Sequence, residues 1–308
     1  ILIPMMKKEG YDSDYSVAVT VTGACQGILI PPSHNMIIYS LAAGGVSVGR
    51  LFLGGFIPGI TLGIILMILS YIIAVRRNYP TGRTYSFREA ISITKDALLG
   101  IFTAVIILGG VISGIFTATE SAAIACVYAF IITFFVYREI PLSRMSKILY
   151  SSLRTLAMVM SLIASAKAFG WLLAYLKIPA LVTASLLNIT SNPILLLLLI
   201  NGLLLLLGCI MDMAPLILIT TPILYPIVVN SLGMDPVQFG IMMMLNLAIG
   251  LCTPPVGSAL FVGCAIGKIP IERATIAMLP FYLGMIVVLM FVTFMPAMSM
   301  FIPNLLMP

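Results

Sequence analysis

The chain has 308 residues, 61% of them hydrophobic and only 8% charged, and its mean hydropathy is +1.18. A soluble domain is roughly a quarter charged, so this composition excludes a water-soluble globular protein, and the lack of apolar–polar alternation argues against an outer-membrane barrel. The net charge of +6 does not point to nucleic acid, because the basic residues are scattered over loop positions with no aromatic-interleaved patch, and no nucleic-acid partner is expected.

The chain opens on Ile1, with no initiator Met and no signal peptide, and is expected to be a piece of a longer polypeptide. Lys7 and Lys8 precede a first apolar stretch over 15–45, interrupted at Gly27-Ile-Leu-Ile-Pro31-Pro32-Ser33. Runs long enough, or nearly so, to span a bilayer follow at 48–75, 97–117, 121–137 and 155–176. The segments 87–95 and 142–154 mix charge with Ile and Leu at helical spacing and are read as amphipathic helices at the inner interface. At 193–230 two short apolar arms flank Gly208-Cys-Ile-Met-Asp212, which predicts a helical hairpin dipping to mid-membrane from outside. The stretches 237–267, interrupted at Gly250-Leu-Cys-Thr-Pro254-Pro255-Val-Gly257, and 277–302 complete the chain.

Basic residues of short loops mark the cytoplasmic side. Four clusters do so here: Lys7 and Lys8; Arg76, Arg77, Arg83 and Arg88; Arg138, Arg144, Lys147 and Arg154; Lys268 and Arg273. The remaining basic residues are Arg50, Lys95, Lys167 and Lys177.

A single offset, 250 − 27 = 223, aligns Gly10 with Gly233, Asp12 with Asp235, Gly27 with Gly250, Pro31-Pro32 with Pro254-Pro255, Gly44 with Gly267 and Arg50 with Arg273. The matched residues are those that punctuate structure, so this is an internal repeat. The charge pattern sends one copy outward and the other inward, and inverted repeats are a hallmark of secondary transporters. The fold class expected is an all-α polytopic membrane protein with inverted repeats, broken helices and re-entrant hairpins.

Each Pro-Pro pair lacks two amide hydrogens and unwinds its helix. Freed carbonyls survive in a membrane only where they line a cavity or bind something, and they suit a small hard cation. The alternative is a pair of proline kinks that only shape packing. Asp212, at the hairpin tip, is either part of an ion site or the cap of the second arm, or both. Asn246, one turn before Gly250, could add an amide oxygen. Lys167, inside an apolar run, faces a polar cavity or pairs with a carboxylate. His34 could line a substrate path, Glu120 is expected to cap the helix after it, and Arg50 and Arg273 anchor loop ends. The five cysteines, Cys25, Cys126, Cys209, Cys252 and Cys264, sit in apolar runs without ligand spacing; no disulfide, metal site or cofactor is expected apart from a coupling Na⁺.

The motifs Gly27-Ile-Leu-Ile-Pro-Pro-Ser33, Phe52-Leu-Gly-Gly-Phe-Ile-Pro-Gly59, Phe116-Thr-Ala-Thr-Glu120, Gly208-Cys-Ile-Met-Asp212 and the stretch 240–257 resemble the large membrane subunit of tripartite ATP-independent periplasmic (TRAP) transporters, over essentially the whole chain. The resemblance implies a sodium-coupled symporter of the bacterial inner membrane, moving as an elevator. It further implies a periplasmic substrate-binding protein and a small membrane subunit of about four helices, separate or fused, as partners besides membrane lipid. By position it implies one sodium site at Gly23, Gln26, Gly27, Pro31 and Pro32, and a second at Gly208, Cys209, Asp212, Asn246, Gly250, Thr253, Pro254 and Pro255. A substrate path at Ser33, His34, Asn35 and Lys167 is expected, with sialic acid or a C4-dicarboxylate as cargo. Ile3-Pro4 resembles the segment after the family's first hairpin tip, which is then expected upstream of Ile1.

The expected domains are a first transport repeat at 1–46; a scaffold helix and interfacial arm at 47–96; a helical pair at 97–137; a second arm at 138–154; a second transport repeat at 155–267, with the hairpin at 193–231; and a scaffold helix at 268–308. A binding-protein-independent anion symporter and a passive channel are the alternative functions. No nucleophile motif, paired carboxylates or His/Cys cluster supports an enzyme.

Overall fold

The computed structural model describes residues 2–80, 86–138, 140–190 and 192–307. Of the basic residues, Arg83 and Arg88 of the orienting clusters and Lys95 outside them are affected: Arg83 and the side chains of Arg88 and Lys95 lie outside what is described.

With no water in the hydrocarbon to satisfy backbone groups, the chain must bond them within itself, and the described residues form helices without a strand. In order these are α1 (Leu2–Lys8), α2 (Ser13–Leu29), α3 (His34–Ala42), α4 (Val48–Arg76), α5 (Phe87–Ile112), α6 (Ala118–Ile131), α7 (Met145–Tyr175), α8 (Ile178–Ile189), α9 (Pro193–Gly208), α10 (Met213–Tyr225), α11 (Pro236–Leu251), α12 (Ser258–Gly267), α13 (Ile271–Phe294) and α14 (Pro296–Leu306). Five helical segments among the described residues are long and apolar enough to cross a membrane: Val48–Arg76, Ala118–Val136, Leu142–Leu173, Met213–Ser231 and Ile271–Phe294. The chain is an all-α, multi-pass membrane protein. The two amphipathic segments do not stand apart as separate helices. The first is the opening of α5, started by a capping box between Ser86 and Glu89, and the second runs directly into α7. Helix α8 lies in a stretch to which the sequence reading gave no element.

The packing divides into two units, residues 1–81 with 166–308, and residues 82–165. The second unit holds α5, α6 and the start of α7; the Tyr128 hydroxyl donates to the Leu99 carbonyl at 3.0 Å and closes α6 on α5.

The first unit holds both repeats. Helices α2 and α4 begin at residues 13 and 48, and α11 and α13 begin at 236 and 271, so each pair is separated by the same 223 positions (236 − 13; 271 − 48). The Cys25 thiol lies 3.0 Å from the Ala248 carbonyl, and Ala248 is the counterpart of Cys25 at that offset (248 − 25). A residue touching its own counterpart marks a pseudo-twofold axis. Going back along α2, Val21 meets Cys252 and Gly263, and Val17 meets Gly267, so the two copies run antiparallel. Helices α4 and α13 are antiparallel as well: Gly284 faces Ile65 and Leu69, while Ile276 shares a cavity with Ile73.

Three of the basic clusters meet at one end of this unit. The Lys7 ammonium donates to the Gly267 carbonyl at 3.0 Å, and Arg76 and Arg77 line a cavity with Arg273. Arg50, at the opposite end of α4, donates to Asn304 at 2.8 Å. Arg77 also bridges Asp12 and Asp14 at 3.3 and 3.1 Å. Burial, helped by its hydrogen bond to the Asp12 carboxylate, pushes the Tyr79 hydroxyl up to about 12. The matched Asp235 is used differently: its carboxylate caps α11 by accepting from the Val237 amide at 2.7 Å.

Every residue of α11 from 237 to 250 is buried, as expected of a helix apolar on all faces. Helices α4 and α13, set apart as scaffold in the sequence boundaries, pack directly on the broken helices. The Gln238 amide donates to the Val292 and Thr293 carbonyls of α13 at 3.0 and 3.1 Å, and Tyr15 donates to Ser70 of α4 at 2.9 Å. Tyr39 of α3 donates to the Pro236 carbonyl at the start of α11 at 2.7 Å, tying one repeat to the other.

The placement of α4 as a crossing, with its Arg76 end on the cytoplasmic side, predicts that Asn78→Cys reacts with a membrane-impermeant maleimide from the cytoplasmic side of a sealed membrane and Ser47→Cys from the other, read against the parent protein as background. Labelling of both from one side would contradict the orientation.

Candidate functional site

The breaks follow from proline chemistry. A carbonyl in an α-helix accepts from the amide four residues on, and Pro31, Pro32, Pro254 and Pro255 have none. The carbonyls of Gly27, Ile28, Gly250 and Leu251 therefore lose their helical donors. Gly250 recovers one from the Thr253 amide at 2.9 Å. Outside the regular helices, no backbone amide among the described residues bonds to the carbonyls of Gly27, Ile28 or Leu251. The Thr253 and Leu251 carbonyl oxygens converge on Gly257, 2.7 and 3.0 Å from where a Cβ would stand there. The Cys252 carbonyl accepts from the Tyr282 hydroxyl of α13, which pins the unwound segment from behind.

The hairpin of α9 and α10 delivers its tip to this break. A Cβ on Gly250 would stand 2.6 Å from the Cα and carbonyl carbon of Gly208, so only glycine permits this approach. The Val256 amide donates to the Cys209 carbonyl at 3.0 Å, replacing a bond that neither helix can supply. The other flank of the tip reaches the first repeat, where the Asn35 amide donates to the Met213 sulfur at 3.1 Å. The tip is thus seated between the two breaks. Asp212 is exposed at the N-cap position of α10 and makes no side-chain cap bond, which leaves its carboxylate clear of the capping role that its position offered.

The expected second-site residues Gly208, Cys209, Asp212, Gly250, Thr253, Pro254 and Pro255 all lie along the hairpin tip and the break that it meets. Asn246 is fully buried one turn below, and its amide donates to the side chain and carbonyl of Asn201 at 2.7 and 3.1 Å, while its Oδ1 has no partner. Of the first-site residues, Gly23 and Gly27 lie on an exposed face of α2, with open space beside them, whereas Gln26 turns to α4 and donates to the Gly59 carbonyl at 3.2 Å. Ser33 and Asn35 are buried and His34 is exposed at the start of α3. The Asn35 Oδ1 also lacks a partner. Lys167 stands exposed on α7, with no hydrogen bond or ion pair to the other candidates among the described residues. Glu120 forms the expected capping box, its carboxylate accepting from the Thr117 amide at 2.8 Å.

The arrangement separates charge preferences. Helices α2 and α11 end at the breaks with their carbonyl-rich, negative ends, which favour a cation. Helices α3, α10 and α12 begin there with free amides, which favour an anion. One locus can therefore hold a small cation and a carboxylate side by side.

Several contributors were not singled out from the sequence. Asn201 breaks the Leu run of α9, and its amide donates to Thr293 of α13 at 3.1 Å, extending the buried chain from Asn246. A lone amide in an apolar hairpin arm was the available signal. Tyr282, Gln238 and the meeting of the Cys25 and Cys252 thiols, 2.8 Å apart, depend on tertiary contacts that spacing does not show.

These features define a multi-pass membrane protein built on paired broken helices and a re-entrant hairpin. The chain matches the family described as "Tripartite ATP-independent periplasmic transporter, DctM component" over residues 1–298, and it belongs to that family. It is a transporter subunit and not an enzyme. It is 42% identical over its full length, and over 70% of the relative, to a protein of Salmonella typhimurium called uncharacterized protein YgiK. It is 40% identical to the C4-dicarboxylate TRAP transporter large permease protein DctM of Pseudomonas aeruginosa, over 99% of this chain and 71% of the relative. It is 39% identical to the sialic acid TRAP transporter large permease protein SiaM of Vibrio cholerae, over 98% of this chain and 70% of the relative.

Overpacking a close contact costs about 1–3 kcal/mol. Gly250→Ala, which would push the hairpin tip off the break, is expected to lower uptake by about tenfold or more while assembly, read by size-exclusion chromatography, is kept. Gly202→Ala, at a position with open space, serves as control. Undiminished uptake by Gly250→Ala would show that the approach of Gly208 to Gly250 is not needed.

Proposed function

We propose that this large subunit imports an organic acid, sialic acid or a C4-dicarboxylate, together with sodium across the bacterial inner membrane. The acid is delivered by a periplasmic binding protein, and a small membrane subunit of about four helices, separate or fused, completes the transporter. The observation that carries this reading is the hairpin tip seated between both helix breaks, where freed carbonyls and helix N-termini share one locus.

An ion gradient is the energy source that this reading adopts, because the freed carbonyls at the breaks suit a coupling cation. Sodium suits hard carbonyl oxygens that need not be deprotonated. Sodium bound at the Gly27–Pro32 and Gly208–Pro255 breaks closes the gap left by the missing amides and draws the tip onto α11. The carboxylate of the acid then meets the amide ends of α3 and α10 beside Ser33 and Asn35, with its charge balanced by the bound cation. Both breaks, the hairpin and the helices tied to them lie in one packed unit, residues 1–81 and 166–308. The elevator motion carries the transport repeats, 1–46 and 155–267, against the scaffold helices.

The test is uptake by the full-length protein in proteoliposomes, with its partner subunit and a binding protein, comparing sialic acid with succinate under an imposed sodium gradient. Accumulation of one acid that requires both sodium and the binding protein is the expected result. Equal uptake after replacing Na⁺ by K⁺ would sink sodium coupling. Uptake without the binding protein would mark a self-sufficient symporter, and flux that never saturates or concentrates its cargo would mark a channel. Asp212→Asn removes the charge nearest the tip and is expected to raise the sodium concentration for half-maximal uptake by about tenfold; an unchanged value would remove Asp212 from the site.

A further inference from the structure

Away from the helix breaks, at the end of the first unit where the basic clusters meet, α4 and α13 with Asp14 of α2 line an open cavity of about 530 Å³. Its lining is divided. Arg76, Arg77, Glu272 and Arg273 stand at the helix ends, and Ile73, Ile276, Ala277 and Pro280 continue from them along the two helices. Arg77 is engaged by Asp12 and Asp14. Arg76 and Arg273 are exposed and make no ion pair or hydrogen bond among the described residues. Glu272 sits in the first turn of α13, where the helix dipole favours it. Asp14 lines the cavity too, and with Asp12 it outnumbers Arg77 by one carboxylate, so the groups at the mouth balance; what they offer an anion is the two free guanidinium groups, set at an end where Lys7, Lys8, Arg76, Arg77, Lys268 and Arg273 face Glu9, Asp12, Asp14 and Glu272, a surplus of 6 − 4 = +2.

From that mouth an apolar row runs up the outer face of α13: Ile276, Leu279 and Leu283 are 69%, 53% and 67% exposed, one turn apart. A soluble anion would use the arginines and leave this row bare. An amphiphile uses both. We propose that the cavity is a site for one anionic glycerophospholipid of the cytoplasmic leaflet. Its phosphate is held between Arg76 and Arg273, and an acyl chain lies along Ile276, Leu279 and Leu283. An anionic headgroup suits the two free guanidinium groups and the positive surplus of this end, whereas the ammonium of a zwitterionic headgroup meets that same surplus. Arg77, fixed by its two aspartates, forms the rear wall and not a ligand. The occupant links the cytoplasmic ends of α4 and α13, the two helices that back the breaks, so the site ties lipid composition to the packed unit.

Each basic residue near an anionic surface favours it by about fivefold. Native mass spectrometry of the full-length transporter, offered equal amounts of phosphatidylglycerol and phosphatidylethanolamine, is expected to show one retained phosphatidylglycerol. Arg76→Ala with Arg273→Ala should lower that retention by about twentyfold or more. Arg76→Lys with Arg273→Lys should keep most of it, and Arg144→Ala, in the other unit, should leave it unchanged. Equal retention of both lipids by the parent protein, full retention by the double alanine variant, or a soluble phosphate adduct in place of the lipid would each overturn the proposal. The lysine pair separates loss of charge from loss of fold, because a misfolded protein would fail in both pairs.

Discussion

Everything in this molecule depends on an amide hydrogen that is missing. A helix in hydrocarbon satisfies its own backbone, and a proline removes one bond from that scheme. Two prolines in succession remove two, at the same place in each of two antiparallel copies. The carbonyls so released at Gly27, Ile28 and Leu251 have to be met by something other than the helix. The rest of the architecture supplies a setting for that something: a hairpin tip, a tyrosine behind the break, and two long helices at its back.

The hairpin contact shows how closely the setting is built. Gly208 and Gly250 touch backbone to backbone, the Cys209 carbonyl takes the Val256 amide, and Asn201 accepts from Asn246 below the tip. These bonds fix the register between α9 and α11, so the tip arrives at the break and not a turn away. On the far side Met213 touches Asn35, which brings in the other repeat. The hairpin tip thus touches the break of one broken helix and the segment that follows the break of the other.

Much of this was legible in the sequence, for a physical reason. Glycine and proline act through the backbone, so their spacing reports backbone geometry directly, and the 223-residue offset read from them coincides with the offset between helix starts. The hairpin was visible because a charged, turn-prone tip divides two apolar arms, although the second arm, Met213–Ser231, proves long enough to cross a membrane. What stayed hidden depends on side chains meeting across the fold. Asn201 looked like one polar residue in a Leu run until Asn246 and Thr293 were seen beside it. The ties that Gln238, Tyr15 and Tyr282 make between α4 or α13 and the broken helices were hidden too, because apolar composition cannot distinguish a lipid-facing surface from a buried one. The amphipathic arms were recognised by composition, but no proline or glycine signal separates them from the crossings that follow, and the helices run on.

The central claim is that the hairpin tip and the helix breaks together make a cation site. Equilibrium binding of radioactive sodium to the purified full-length protein, without substrate, tests it most directly. The account predicts saturable binding that unlabelled Na⁺ displaces and K⁺ does not, and that is lost when Gly250 is replaced by leucine. Saturable sodium binding that persists in the leucine variant with unchanged affinity, or no binding by the parent protein, would contradict it.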